Sequence, residues 1–189
     1  MKNIVKKHLL QGKTETYLYR IFYYDCPPCD KNIYHPFLQR NINLKKSDLY
    51  TWMNTFLNEL KSKRKFALRM GRLSSNDTGY IIKPEKMKAL CANKIIFSYI
   101  TEDDCRLDIK QKTMDMKLGT DIASITLKKQ VDQIILIAGD SDFVPAAKLA
   151  RREGVDFILD QMGQTINDDL NEHIDGIRSK IKYSIPKEQ

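Results

Sequence analysis

The sequence predicts an α/β protein in which a mostly parallel sheet is flanked by helices on both faces. Three observations carry that expectation. Ile134-Ile135-Leu136-Ile137-Ala138 is a short, wholly apolar run, the pattern of a strand buried on both faces. Helical spacing brackets it: Met114 to Gln130 places Leu118, Ile122 and Ile125 on one face, and a second helix runs through Arg152 to a stop at Gly154. Val155-Asp156-Phe157-Ile158-Leu159 is then a further strand, so strands alternate with helices as parallel crossovers require.

The other elements follow in order. Tyr17-Leu18-Tyr19-Arg20-Ile21-Phe22-Tyr23-Tyr24 is rich in aromatic residues and is stopped by Asp25 and two prolines, which predicts a strand. Residues 47–63 predict a helix capped by Ser47, with Leu49, Trp52, Met53, Phe56, Leu57 and Leu60 as its apolar stripe. Lys61, Lys63, Arg64 and Lys65 crowd its C-terminal end, where the helix dipole favours cations. Phe66 to Leu73 predicts another strand, Ser74 to Gly79 a loop, and Asp168 to Lys180 a last helix. A length of 189 residues suits a single domain, 1–189.

Composition narrows the function classes. No stretch approaches the roughly 18 apolar residues of a membrane span, so no membrane partner is expected. Met1 to His8 has no signal-peptide pattern, which makes the cytoplasm the expected compartment. Residues 1–100 carry 19 basic and 7 acidic side chains, a net of +12, whereas 101–189 carry 13 and 17, a net of −4. A basic half joined to a carboxylate-rich half suggests a polyanion partner, although a lysine-rich face is usually just solvated. Of the four cysteines only Cys26 and Cys29 are close in sequence, as Cys-Pro-Pro-Cys. His35 could be a third zinc ligand but no fourth is evident, so two reduced thiols in a Pro-rich turn is the preferred interpretation.

The chemistry concentrates in aspartates. Ligands of open parallel sheets bind beyond the carboxyl ends of the strands, and three predicted strands end in an acid: Asp25, Gly139-Asp140 and Asp160. The strongest segment is Gly139-Asp140-Ser141-Asp142-Phe143, where two carboxylates stand two residues apart after a glycine that permits a sharp exit. Capping of the following helix by Asp140 or Ser141 explains one acid and not two. In the preceding helix, Asp121 points towards the apolar stripe, and Asp115 lies on a nearby face. An ion pair with Lys112 accounts for one of these and not for the set. Crowded carboxylate oxygens are the ligand set expected for Mg²⁺ or Mn²⁺, and such ions can activate water for in-line phosphodiester displacement. None of the histidines, His8, His35 and His173, stands in a nucleophile-like context.

Asp132 to Pro145 resembles the hallmark segment of the NYN domain family, the LabA-like branch of the PIN-like nucleases. Gln111-Lys112-Thr113-Met114-Asp115-Met116-Lys117-Leu118, followed by Asp121, is similar to that family's K-G-x-D-x-x-L-x-x-D segment, with Thr113 in place of glycine. Tyr23-Tyr24-Asp25 and Leu68 to Leu73 also match, and the resemblance spans about residues 15–180. It implies a Rossmann-like PIN fold and metal-dependent cleavage of RNA. Catalytic acids would be Asp115, Asp140 and Asp142, with Asp121 a fourth metal ligand, and Asp25, Lys112, Ser141 and Asp160 as neighbours. Lys63, Arg64, Lys65, Arg69 and Arg72 are the candidate contacts to single-stranded RNA.

The family usually opens with a strand ending in D-G-x-N. Met1–Gln11 carries neither, and Met1–Leu10 resembles part of the helix that should follow. That departure supports an alternative, a catalytically impaired module that binds RNA or regulates. An edge exposed by the missing strand would invite a homodimer. A haloacid-dehalogenase-like phosphatase ranks lower, because Gly139-Asp140-Ser141 resembles its late motif but no N-terminal D-x-D nucleophile is present.

Overall fold

A computed structural model describes residues 8–9, 16–138 and 141–179, with the side chains of 75–77 and 141 outside the description. The predicted helix at Met1–Leu10 therefore falls largely outside the described residues. The chain is α/β, and it divides into two compact units, Phe22–Met114 and the combination of Met1–Ile21 with Asp115–Gln189.

In the Phe22–Met114 unit, β1 (Ile21–Asp25) pairs with β4 (Phe66–Met70). β2 (Asn32–His35) and β3 (Arg40–Asn43) form an antiparallel hairpin, as do β5 (Arg72–Ile82) and β6 (Cys105–Lys112). The helices are α1 (Asp48–Lys61) and α2 (Pro84–Cys91). Ser47 caps α1 as predicted, its Oγ accepting from the Tyr50 N–H at 3.2 Å. The predicted stripe is only partly buried: Leu57 and Leu60 are in the core, but Leu49 and Trp52 are 64% and 60% exposed. Trp52 instead stacks on Phe56, which meets Tyr23 edge-on. Helical spacing sets which residues share a face, but not how much of that face a neighbour covers.

The predicted loop at Ser74–Gly79 is a strand. β5 runs through it with a register shift between Leu73 and Thr78, and Thr78 Oγ1 donates to the Ser74 carbonyl at 2.7 Å. Turn-type residues here make a bulge, because β6 supplies the partner strand that local composition could not foresee. Hairpin β2–β3, α2 and β6 had no counterpart in the sequence expectation.

The second unit contains α3 (Met114–Leu127), β7 (Gln133–Ile137), α4 (Val144–Arg152), β8 (Asp156–Asp160), α5 (Asp168–Glu172) and β9 (Gly176–Ile177). Its three strands are parallel in the order β7-β8-β9. The expected parallel pairing is thus seen in this unit between β7 and β8 and between β8 and β9. β8, between two partners, is buried along Phe157–Asp160; β7 alternates, and Ile137 is exposed, so the wholly apolar run is not buried on both faces. Gly154 leaves α4 at φ +82, where only glycine is unstrained. The predicted helix Asp168–Lys180 stops early, and its last residue lies outside the described ones. Asp175 ends it: its carboxylate accepts from the Phe157 N–H and from Arg151 Nε, each at 2.8 Å, and its own N–H donates to the Phe157 carbonyl. Those bonds draw the chain into the sheet as β9.

Candidate active site

The acids of the second unit stand in contrasting environments. β7 delivers the chain to Gly139 and Asp140, both outside the described residues. Ser141–Phe143 forms a single 3₁₀ turn leading into α4, with Phe143 and Val144 buried and Asp142 exposed. Burial of these two apolar neighbours fixes the turn while the Asp142 carboxylate stays in water. In α3, Leu118, Ile122 and Thr126 face the core. Asp121 is half-buried beside that face, and Asp115 is exposed in the first turn, where the helix dipole favours a carboxylate.

Asp160 is fully buried at the end of β8, in register with Ile137 of β7. Its Oδ1 accepts from the Met162 N–H at 2.9 Å, and its Oδ2 lies 2.9 Å from Nε2 of buried His8. His8 Nδ1 is buried and has no hydrogen-bond partner among the described residues. Asp160 therefore holds His8 against the end of β8. The sequence placed Asp160 near the site but did not single out His8, since a lone histidine in a basic segment carries no spacing signal.

The three-donor set among the described residues, with all ligand atoms within 4.8 Å of one another, is Asp169, Glu172 and His173. Its spacing of three and four residues places the side chains on one helical face. An ion pair of 3.4 Å between His173 Nε2 and Asp169 Oδ1 accounts for part of it. With Asp140 outside the description, Asp115, Asp121 and Asp142 do not form such a set by themselves.

The other unit holds Asp25, Lys112 and the candidate basic contacts. Asp25, half-buried at the end of β1, accepts from the Tyr23 hydroxyl at 2.9 Å and the Cys26 N–H at 2.7 Å. Burial first, then the hydrogen bond and negative charge of Asp25, push the Tyr23 hydroxyl up to about 12. Lys112 is exposed at the end of β6, and Thr113 follows with φ +74. A β-branched residue is strained there, which explains why a glycine suits this position. Arg64 is exposed in the turn before β4, flanked by the half-exposed Lys63 and Lys65. Arg69 sits over the Phe22 ring at 5.1 Å, whereas Arg72 is exposed on a recess of about 290 Å³. Lys31, Tyr50 and Asn54 share that recess, and the sequence had not marked them.

The cysteines are all free thiols, with Cys26 buried in the turn after β1. His35 packs on Tyr80 at 4.1 Å and accepts from the Leu38 N–H, and it joins no three-ligand set with the cysteines among the described residues.

A model of the NYN domain matches residues 42–175, more than two thirds of the chain. The chain belongs to the NYN domain family. No curated protein and no solved structure gives a significant match. NYN domains are generally nucleases of the PIN-like type and typically use divalent metals. The NYN match takes in Asp115, Asp121, Asp140, Asp142 and Asp160, together with the basic run Lys63–Arg72. No described helix is long and apolar enough to cross a membrane.

Proposed function

We propose that this NYN protein is a metal-dependent ribonuclease of the LabA-like branch, acting on single-stranded RNA in the cytoplasm. The observation that carries the proposal is the NYN match running through both acid-bearing segments, Asp115–Asp121 and Asp140–Asp142. Donor chemistry is the basis of the fit: four carboxylates offer hard oxygens and no thiolate or imidazole, which favours Mg²⁺ or Mn²⁺. A divalent ion bound there would supply Lewis acidity and a water of lowered pKa. Asp115 and Asp142 keep their carboxylates at the surface, where a phosphodiester can reach them. Asp121 stands partly shielded beside the α3 core face. Lys63, Arg64, Lys65 and Arg72 would draw the phosphate backbone by charge.

The test is incubation of the full chain with labelled single-stranded RNA in Mn²⁺, Mg²⁺ or EDTA, beside an Asp140→Asn variant. Metal-dependent cleavage that is lost in the variant is the expected result. RNA binding by the folded protein without cleavage in either metal would replace the ribonuclease with a non-catalytic RNA-binding module.

A further inference from the structure

The recess beside α1 is not used by any of the acids assigned above. Tyr50 and Asn54 stand one turn apart on α1 and share its lining with Pro27, Lys31 and Arg72. Its volume of about 290 Å³ is at the lower end of the roughly 300–1,000 Å³ of small-ligand sites. The Arg72 guanidinium and the Tyr50 hydroxyl make no hydrogen bond or ion pair with any described residue. Asn54 spends an amide N–H on the Tyr50 carbonyl at 2.9 Å, which holds its carboxamide at the recess with the oxygen available. Lys31 Nζ donates to the Ser74 carbonyl at 3.3 Å, which restrains its ammonium. Asp30 is the acid on the lining, so two cations stand against one carboxylate.

The floor is rigid. Gly71 donates its N–H to the Asp25 carbonyl at 2.7 Å, and a Cβ there would meet Met114 Cγ, the Lys112 carbonyl and Cys26 Sγ within 2.7–2.9 Å. A planar guanidinium matches the geometry of phosphate oxygens. An aromatic ring accepts a base by stacking, whatever its sequence. We infer that this recess binds one nucleotide unit of a nucleic-acid strand, with its phosphate at Arg72 and Lys31 and its base or ribose against Tyr50 and Pro27. The inference rests on the ribonuclease proposal for the kind of strand, and the recess contributes binding rather than chemistry.

The experiment measures anisotropy of a fluorescent single-stranded oligoribonucleotide with the full chain in EDTA, so that no cleavage intervenes. Arg72→Ala should weaken binding about tenfold, the size of one charge-assisted contact. Tyr50→Leu should weaken it several-fold, with folding checked by circular dichroism. Lys94→Ala removes an exposed cation of the same unit outside the recess and should cost about twofold at most. Uridine monophosphate should compete with the strand. Equal losses for Arg72→Ala and Lys94→Ala would show diffuse charge attraction and overturn the inference. If uridine monophosphate binds and depends on Arg72 while no strand binds, the recess takes a free nucleotide: the site stands and the ribonuclease proposal falls. If neither binds the folded chain the inference fails, and the cleavage assay still judges the ribonuclease proposal separately.

Discussion

Asp25 and Asp160 are the same residue type in the same kind of place, the last position of a strand, yet the two units treat them differently. Asp160 is fully buried, with one oxygen on a backbone N–H and the other on His8. Asp25 is half-buried, and its partners are a neighbouring tyrosine hydroxyl and the next N–H in the chain. The surroundings differ as well. Phe22–Met114 carries 17 basic and 10 acidic residues and is built of two-stranded pairs; the other unit carries 15 and 14 around a three-stranded parallel sheet. An acid at the end of a strand held between two partners is sealed in and must find long-range partners. One on a small, open sheet can be satisfied locally and by water.

The sharpest way to break that comparison is Asp160→Ala beside Asp25→Ala. Removing Asp160 strands the Met162 N–H and a buried histidine, and should cost about 3 kcal/mol. Asp25→Ala should cost about 1 kcal/mol, since water can replace its contacts. Urea denaturation measures both, and equal losses would show that burial does not separate the two sites.

Gly71→Ala should be next, at about 2 kcal/mol, because one of the atoms that a new Cβ meets is a backbone oxygen that cannot swing away. Gly79→Ala is its control in the same unit: nothing lies within 4 Å of a Cβ there, and stability should change by less than about 0.5 kcal/mol. Thr113→Gly should act in the opposite direction. Relief of a strained φ exceeds the entropy that glycine adds to the unfolded chain, for a net gain of about 1 kcal/mol in unfolding free energy, read as a higher urea midpoint.

The smallest effect is spectroscopic. The Tyr23 hydroxyl, raised from 10.0 to about 12, should remain protonated in the folded chain when ordinary tyrosines have ionised. Its contribution to stability is present in full below pH 10 and is lost as pH rises through about 12, because the unfolded chain releases that proton first. Asp25→Asn removes the negative charge and should lower the value, though not to 10, since burial is the larger cause. Ultraviolet titration of tyrosinate checks this. An unchanged value would assign the whole shift to burial.

Residue pattern alone was enough for the α/β class, the Ser47 cap, the cores of α3, α4, β7 and β8, and the resemblance that the NYN match bears out. Each depends on periodicity or on motif order, which are local properties of the chain. Tertiary structure decided the rest. Leu49 and Trp52 fit the helical stripe as well as Leu57 and Leu60 do, but only the latter pair meets a surface that buries it. Ser74–Gly79 has the composition of a loop and becomes strand because β6, some thirty residues on, hydrogen-bonds with it. Asp168–Lys180 has the composition of a helix and turns into β9 because Asp175 bonds to β8. Among the candidate site residues, aspartates after strands were legible as acids. Which is sealed, which meets water and which finds a histidine 152 residues away follows from contacts between distant segments, and periodicity carries no record of those.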